Sequence, residues 1–114
     1  MTFLEISNRF SSIAEDNGLD FGYAPFRHGE EPDVPYIAFS YPERNDFPAD
    51  NGSYIRISRV RVLLVTRKKD IGLEETVETA FDQLGISYSK DSDFYQDEDV
   101  YISNYETEEI INAD

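Results

Sequence analysis

The run over residues 53–67, Ser-Tyr-Ile-Arg-Ile-Ser-Arg-Val-Arg-Val-Leu-Leu-Val-Thr-Arg, constrains the fold more than any other part of the chain. It alternates polar and apolar residues in two phases, runs apolar through Val62-Leu63-Leu64-Val65, and is rich in β-branched side chains, which is the pattern of a half-buried strand. Fifteen residues exceed the usual strand length. The alternation also changes phase: Ile55 and Ile57 carry the apolar positions first, then Val60, Val62 and Leu64. A bulge or bend near Ser58-Arg59 follows from that switch. The first half is expected to project from the sheet as a hairpin arm with residues 37–52.

Helical periodicity flanks this strand on both sides. Phe3, Ile6, Phe10 and Ile13 recur at helix spacing behind a Thr2–Glu5 capping box, and Gly18 supplies a left-handed stop. The spacing predicts a helix over 3–16. Leu73, Val77, Ala80, Phe81 and Leu84 form a second stripe ahead of Gly85, predicting a helix over 72–84. Leu19, Phe21 and Tyr23 alternate as a short strand, held to an edge or end by Pro25. Ile37, Phe39 and Tyr41 mark another strand over 35–41. Residues 42–52 read as a long polar connection with Asn51-Gly52 as a turn. Ile86 to Ser89 begins a strand, 90–99 reads as an acidic turn, and 100–110 as a last strand. The expected fold is one α+β domain over 1–114. Its single antiparallel or mixed sheet carries both helices on one face, in the order α-β-β-β-α-β-β, with a long hairpin arm around 37–60.

Charge limits the partners. The chain has 24 Asp+Glu against 10 Lys+Arg, a net charge of −14. Such a field repels nucleic acid and anionic membrane, both of which bind through Lys and Arg. The excess is uneven. Nine basic residues lie in 1–69 and a single one, Lys90, in 70–114, where 14 acids lie. Six basic residues fall in 56–69. A basic section and an acidic section on one small domain suit head-to-tail association of copies, or else neutralise each other within the chain. Arg56 and Arg59 are the favoured interface cations, because guanidinium makes bidentate carboxylate contacts.

Site chemistry is sparse. There is no Cys, which excludes disulfides, thiol catalysis and Cys-based zinc sites. His28 is the single histidine and sits in a charged loop; no Ser-His-Asp spacing supports it. Residues 91–99 open like a calcium loop, but Gln96 stands where Gly is needed and Ile102 where Glu is needed. No phosphate-binding glycine motif occurs, and the N-terminus shows no basic-then-apolar signal pattern. The expectation is a non-enzyme without cofactor or metal. Eight tyrosines, mostly on strands, exceed what so small a domain can bury, and Tyr favours protein interfaces.

Taken in order, the elements resemble a known family. The features are Gly18-Leu19 leading to Phe21-Gly22-Tyr23, then Pro35-Tyr36-Ile37-Ala38-Phe39, then Ala49-Asp50-Asn51-Gly52-Ser53-Tyr54. The long strand, Lys68-Lys69-Asp70, the acidic helix from Leu73, and Leu84-Gly85-Ile86-Ser87-Tyr88 complete the series. The chain is similar to the small tail-completion proteins of long-tailed bacteriophages, of the tail terminator or tail-to-head joining type. The resemblance implies a ring, usually of six copies, at the head-proximal end of the tail. There it ends the tail tube and docks onto the filled head. It implies the tail tube protein and a head-completion or connector protein as partners, and a virion location after assembly in the host cytoplasm. The long loop 43–53, taken with its flanking strands, is similar in position to the subunit contact of such rings. The interface residues expected on it are Arg44, Asp46, Phe47, Asp50, Asn51, Tyr54, Arg56, Arg59 and Arg61. Two other readings stand beside it: an acidic monomeric binding module that mimics DNA to block a nucleic-acid enzyme, and another neck or minor capsid component of the same fold.

Overall fold

The computed structural model describes residues 3–27, 29–48, 54–107 and 111–112, with backbone alone for residue 3 and for residues 41–48, 54–58 and 111–112. Two helices and six strands follow in the order α1 (Phe3–Asp16), β1 (Asp20–Tyr23), β2 (Tyr36–Pro48), β3 (Tyr54–Thr66), α2 (Ile71–Leu84), β4 (Tyr88–Tyr95), β5 (Val100–Thr107) and β6 (Ile111–Asn112). The strands form one sheet in the order β1-β2-β3-β5-β4, and β6 joins β3 alongside. β1 runs parallel to β2 and every other pairing is antiparallel, so the sheet is mixed.

Both helices end as their glycines require. Gly18 and Gly85 adopt φ of 69° and 70°. After α1, the Leu19 amide donates to the Ala14 carbonyl and the Gly18 amide to that of Glu15. After α2, Ile86 and Gly85 repeat the pair with Phe81 and Asp82. This double bond satisfies carbonyls that a helix end leaves open. At the other end of α2 the Asp70 carboxylate accepts from the Leu73 amide at 3.0 Å. Thr2, the expected cap of α1, lies outside the described residues.

The helices share one face of the sheet. Ile6, Phe10, Ile13 and Ala14 from α1 and Val77, Ala80 and Phe81 from α2 are buried. They pack on Ile37 and Phe39 of β2, Val60, Val62 and Leu64 of β3, and Tyr105 of β5. An aromatic seam crosses this layer. Phe10 lies 4.9 Å from Phe81 and 6.3 Å from Phe39 between ring centroids. Phe81 in turn meets Tyr88 at 4.8 Å and Tyr105 at 5.9 Å.

The opposite face is covered only in part. A parallel pair needs a crossover of about a dozen residues, and the segment joining β1 to β2 supplies it without forming a helix. Phe26 packs edge-on against Tyr36 with ring centroids 6.0 Å apart. A Cβ at Gly22 would stand 2.8 Å from the Phe26 ring and 3.2 Å from Pro32, so this strand position has no room for a side chain. The segment thus covers the β1–β2 corner, where Ala38 is fully buried.

Three strand boundaries differ from the sequence reading. The irregularity lies on β2, not β3: the register shifts between Ser40 and Glu43, so Tyr41-Pro42 is the bulge, opposite Val60. Proline cannot donate to a ladder, which makes Pro42 a natural bulge residue. Residues 43–48, read as polar connection, continue β2 as a strand paired with β3 out to Pro48–Tyr54. Residues 90–95, read as turn, belong to β4. The last strand stops at Thr107, and a short β6 pairs with Ile57 and Ser58. Asn51-Gly52 lies outside the described residues.

The hairpin arm makes the molecule long. Its extents are 51 × 32 × 23 Å and its radius of gyration is 15.0 Å, against about 13 Å for a compact chain of this size. Truncation of the buried ring at the centre of the seam, Phe81→Ala, is expected to destabilise the fold by about 3–5 kcal/mol. Equilibrium urea unfolding measures it; a loss below about 1 kcal/mol would mean that the two helices are not docked through this ring.

Candidate interaction surface

The expected interface residues divide into three groups. Arg44, Asp46, Phe47, Tyr54 and Arg56 lie in the arm ladder, where Arg44 pairs with Ser58, Asp46 with Arg56, Phe47 with Ile55 and Tyr54 with Pro48. Their side chains, and Asp50 and Asn51 altogether, lie outside the described residues, as does His28. Arg59 is exposed and stands opposite Glu43. Arg61 is half-buried on the helix-free face: its Nη2 donates to Glu106 Oε2 at 3.3 Å, across the β3–β5 ladder where the two residues face each other.

Beside Arg61, the face that carries no helix opens into a groove of about 350 Å³. Arg61, Leu63, Ile102 and Asn104 form its half-buried floor, and Asp91, Asp93, Tyr95 and Glu98 its exposed rim. Register explains the grouping. Asp91, Asn104 and Leu63 form one cross-strand row, and Asp93, Ile102 and Val65 the next. Acids two apart on a strand point to the same side. The acidic run therefore spreads along β4 instead of wrapping a point, as calcium ligands must. Among the described residues no group of three or more His, Cys, Asp or Glu is placed to hold a metal ion. At the hairpin tip Asp99 adopts φ of 56°, and Arg67 Nη1 donates to the Glu98 and Asp99 carbonyls at 3.3 and 3.5 Å.

The helix side of the same strand is clasped. Lys90 reaches under α2, its Nζ 2.7 Å from both Glu74 Oε1 and Glu78 Oε2. Lys69 donates to Glu74 from the other side, with its Nζ 2.9 Å from Oε2. Tyr105 Oη donates to Glu78 at 2.8 Å. The Glu74 side chain is only 6% exposed. Burial alone pushes its carboxyl up, but the hydrogen bonds and charges of Lys90 and Lys69 outweigh that and hold it below its ordinary value. Burial likewise pushes the Lys90 ammonium down, and Glu74 and Glu78 together drive it above its ordinary value. Burial, with the Glu78 bond behind it, pushes the Tyr105 phenol well up.

Sequence reasoning missed both the groove and the clasp. Its one available signal was Lys90, a lone cation among 14 acids. The complementarity of basic and acidic sections is partly used inside the chain, by Arg61–Glu106 and Lys69–Glu74, while Lys90 is held by two carboxylates of its own section. Among the described residues no helix is long and apolar enough to cross a membrane. No protein-family model matches the chain, and no curated protein matches it significantly.

The clasp has a pH signature. A carboxyl held below its ordinary value of 4.5 contributes stability above that pH and loses it as pH falls through the folded value. A lysine held above 10.5 contributes below that pH and loses it as pH rises through the folded value. Replacing Lys90→Met leaves Glu74 with Lys69 alone, a semi-exposed partner. A loss of about 1–3 kcal/mol at neutral pH is expected. The gap to wild type should shrink on acidification below about pH 4.5. Urea unfolding of both chains from about pH 3 to pH 7 reads it. A gap independent of pH would show that Lys90 acts only by packing.

Proposed function

We propose that this chain is a non-enzymatic virion structural protein of the bacteriophage tail-completion type. In this reading copies form a ring, six in number, at the head-proximal end of the tail, ending the tail tube and joining it to the head. The resemblance along the chain suggests the class, and one structural observation carries the assembly: the β2–β3 arm. Beyond Phe39, β2 has no further partner on its outer side among the described residues, because β1 pairs only as far as that residue. On the other side the β5 ladder begins at Arg61, and β6 touches only Ile57 and Ser58. The outer arm is thus a narrow ribbon, which has marginal stability in water unless something packs on it. A contact between copies supplies that packing. The proposed partners are a further copy, the tube protein and a head-completion protein.

A second reading has its own observation. The exposed strand β4 and the turn after it present Asp91, Asp93, Asp97, Glu98 and Asp99 on one hairpin. A monomeric DNA-mimic module would use such an array against a basic enzyme surface.

Light scattering after size exclusion, across protein concentration and salt, separates the two. The assembly reading expects a closed oligomer near six copies loosened by salt, or a monomer that tail tube or head-neck proteins retain. The double change Arg56→Glu/Arg59→Glu is expected to weaken that association by about tenfold or more at low salt. A monomer at every concentration that neither tube nor neck proteins retain would sink the assembly reading.

A further inference from the structure

We infer that the groove on the helix-free face receives the β3 limb of the arm from a second copy. The inference rests on the self-assembly proposed above and names the two surfaces that meet.

Two unpaired polar atoms lie beneath the floor of the groove, and acids line its rim. Asn104 Oδ1 is a buried acceptor and Arg61 Nε a buried donor, and neither has a hydrogen-bond partner among the described residues. Buried polar groups are rarely left so. Both residues line the groove. The rim then selects the side chains. Asp91, Asp93 and Glu98 surround the apolar Leu63 and Ile102, which suits a cationic head on an aliphatic stem.

The chain itself contains such a segment. Residues 54–59, Tyr-Ile-Arg-Ile-Ser-Arg, are extended, carry Arg56 and Arg59, and have no carboxylate. Arg59 is exposed and precedes the stretch paired with β5. A chain cannot fill its own groove this way. Arg59 lies six residues along β3 from Val65, whose cross-strand row reaches Asp93, a separation of about 20 Å along the strand. The contact therefore joins different surfaces of two copies, and such a contact closes into a ring or continues as a filament.

The absence of native cysteine makes the test clean. A chain carrying both Arg59→Cys and Asp93→Cys cannot bridge the two internally, because a disulfide needs Cα atoms within about 7 Å. Under mild oxidation the double variant is expected to give a ladder of linked multimers on a non-reducing gel. A mixture of the two single variants is expected to give 59-to-93 heterodimers. Separately, Asp91→Asn/Asp93→Asn should weaken association by about tenfold at low salt while the urea midpoint stays put, since both acids are exposed. Oligomers seen by scattering but without the 59-to-93 link overturn the groove assignment and leave the assembly reading standing. Homodimers of the Arg59→Cys variant in place of heterodimers overturn it in favour of a two-fold contact. Absence of both oligomer and link, with tube protein present, removes both ideas.

Discussion

Phe81 joins the two layers of this molecule. Its ring is fully buried and meets Phe10 of α1 on one side and Tyr88 and Tyr105 of the sheet on the other. A large ring in that position contributes several kcal/mol through burial and edge contacts. Its effect on geometry is wider. With α1 and α2 held together over β2, β3 and β5, both helices occupy one side, and the helix stripes are exhausted by that side. No apolar helix face is left to cover the other. The partial cover there comes from the crossover between β1 and β2, which reaches only the corner around Gly22 and Ala38.

The acidic half of the chain depends on a second constraint. The middle of strand β4 has almost no intrinsic reason to be a strand: Lys-Asp-Ser-Asp at 90–93, between Tyr88 and Phe94-Tyr95, has no β-branched or aromatic residue. Two things hold it. It pairs with β5 residue by residue from Tyr88–Thr107 to Tyr95–Val100. Lys90, pointing toward α2, is gripped by Glu74 and Glu78. An inward cation on an edge strand also discourages unwanted edge pairing. The same clasp neutralises part of the acidic excess where it is most buried, leaving Asp91 and Asp93 on the free side. The sign of the groove is thus a consequence of which β4 residues the helix has already used.

This division explains what could be read from the sequence. The helices were legible nearly to the residue, 3–16 and 72–84 against Phe3–Asp16 and Ile71–Leu84, because apolar period and glycine cap agree at each. The core strands were legible for the same reason: Ile37, Phe39, Val60, Val62 and Leu64 face one layer at strand period. Residues 90–95 were not, and 43–48 were read as a polar connection, although the hairpin arm around 37–60 that holds them was expected. Their strand state comes from pairing with β3 and β5, a tertiary cause that leaves no mark on local composition. The phase change at Ser58-Arg59 pointed to a bulge, but a bulge belongs to a pair of strands, and here the extra residues lie on the partner at Tyr41-Pro42. The groove was invisible because its lining comes from β3, β4, β5 and the turn at 96–99, brought together only by register.

Arm and open face are two consequences of one architecture. A sheet with helices on one side has a second side to finish, and a hairpin longer than its neighbours has edges to finish. Monomeric domains shorten such hairpins or cover such faces. Here β2 and β3 run to Pro48 and Tyr54, past the end of the β1 ladder at Phe39 and the start of the β5 ladder at Arg61. The exposed cation Arg59 lies on that extension, and the exposed acids Asp91 and Asp93 lie on the far edge of the sheet. Placed so far apart, opposite charges gain little from each other inside one chain, since separations beyond about 10 Å are screened at ordinary salt. In the proposed contact between copies they would meet at close range. Arg59 on one side and Asp91 and Asp93 on the other, too far apart to serve each other in a monomer, would be neighbours in the proposed head-to-tail assembly, and that asymmetry is the physical argument for it.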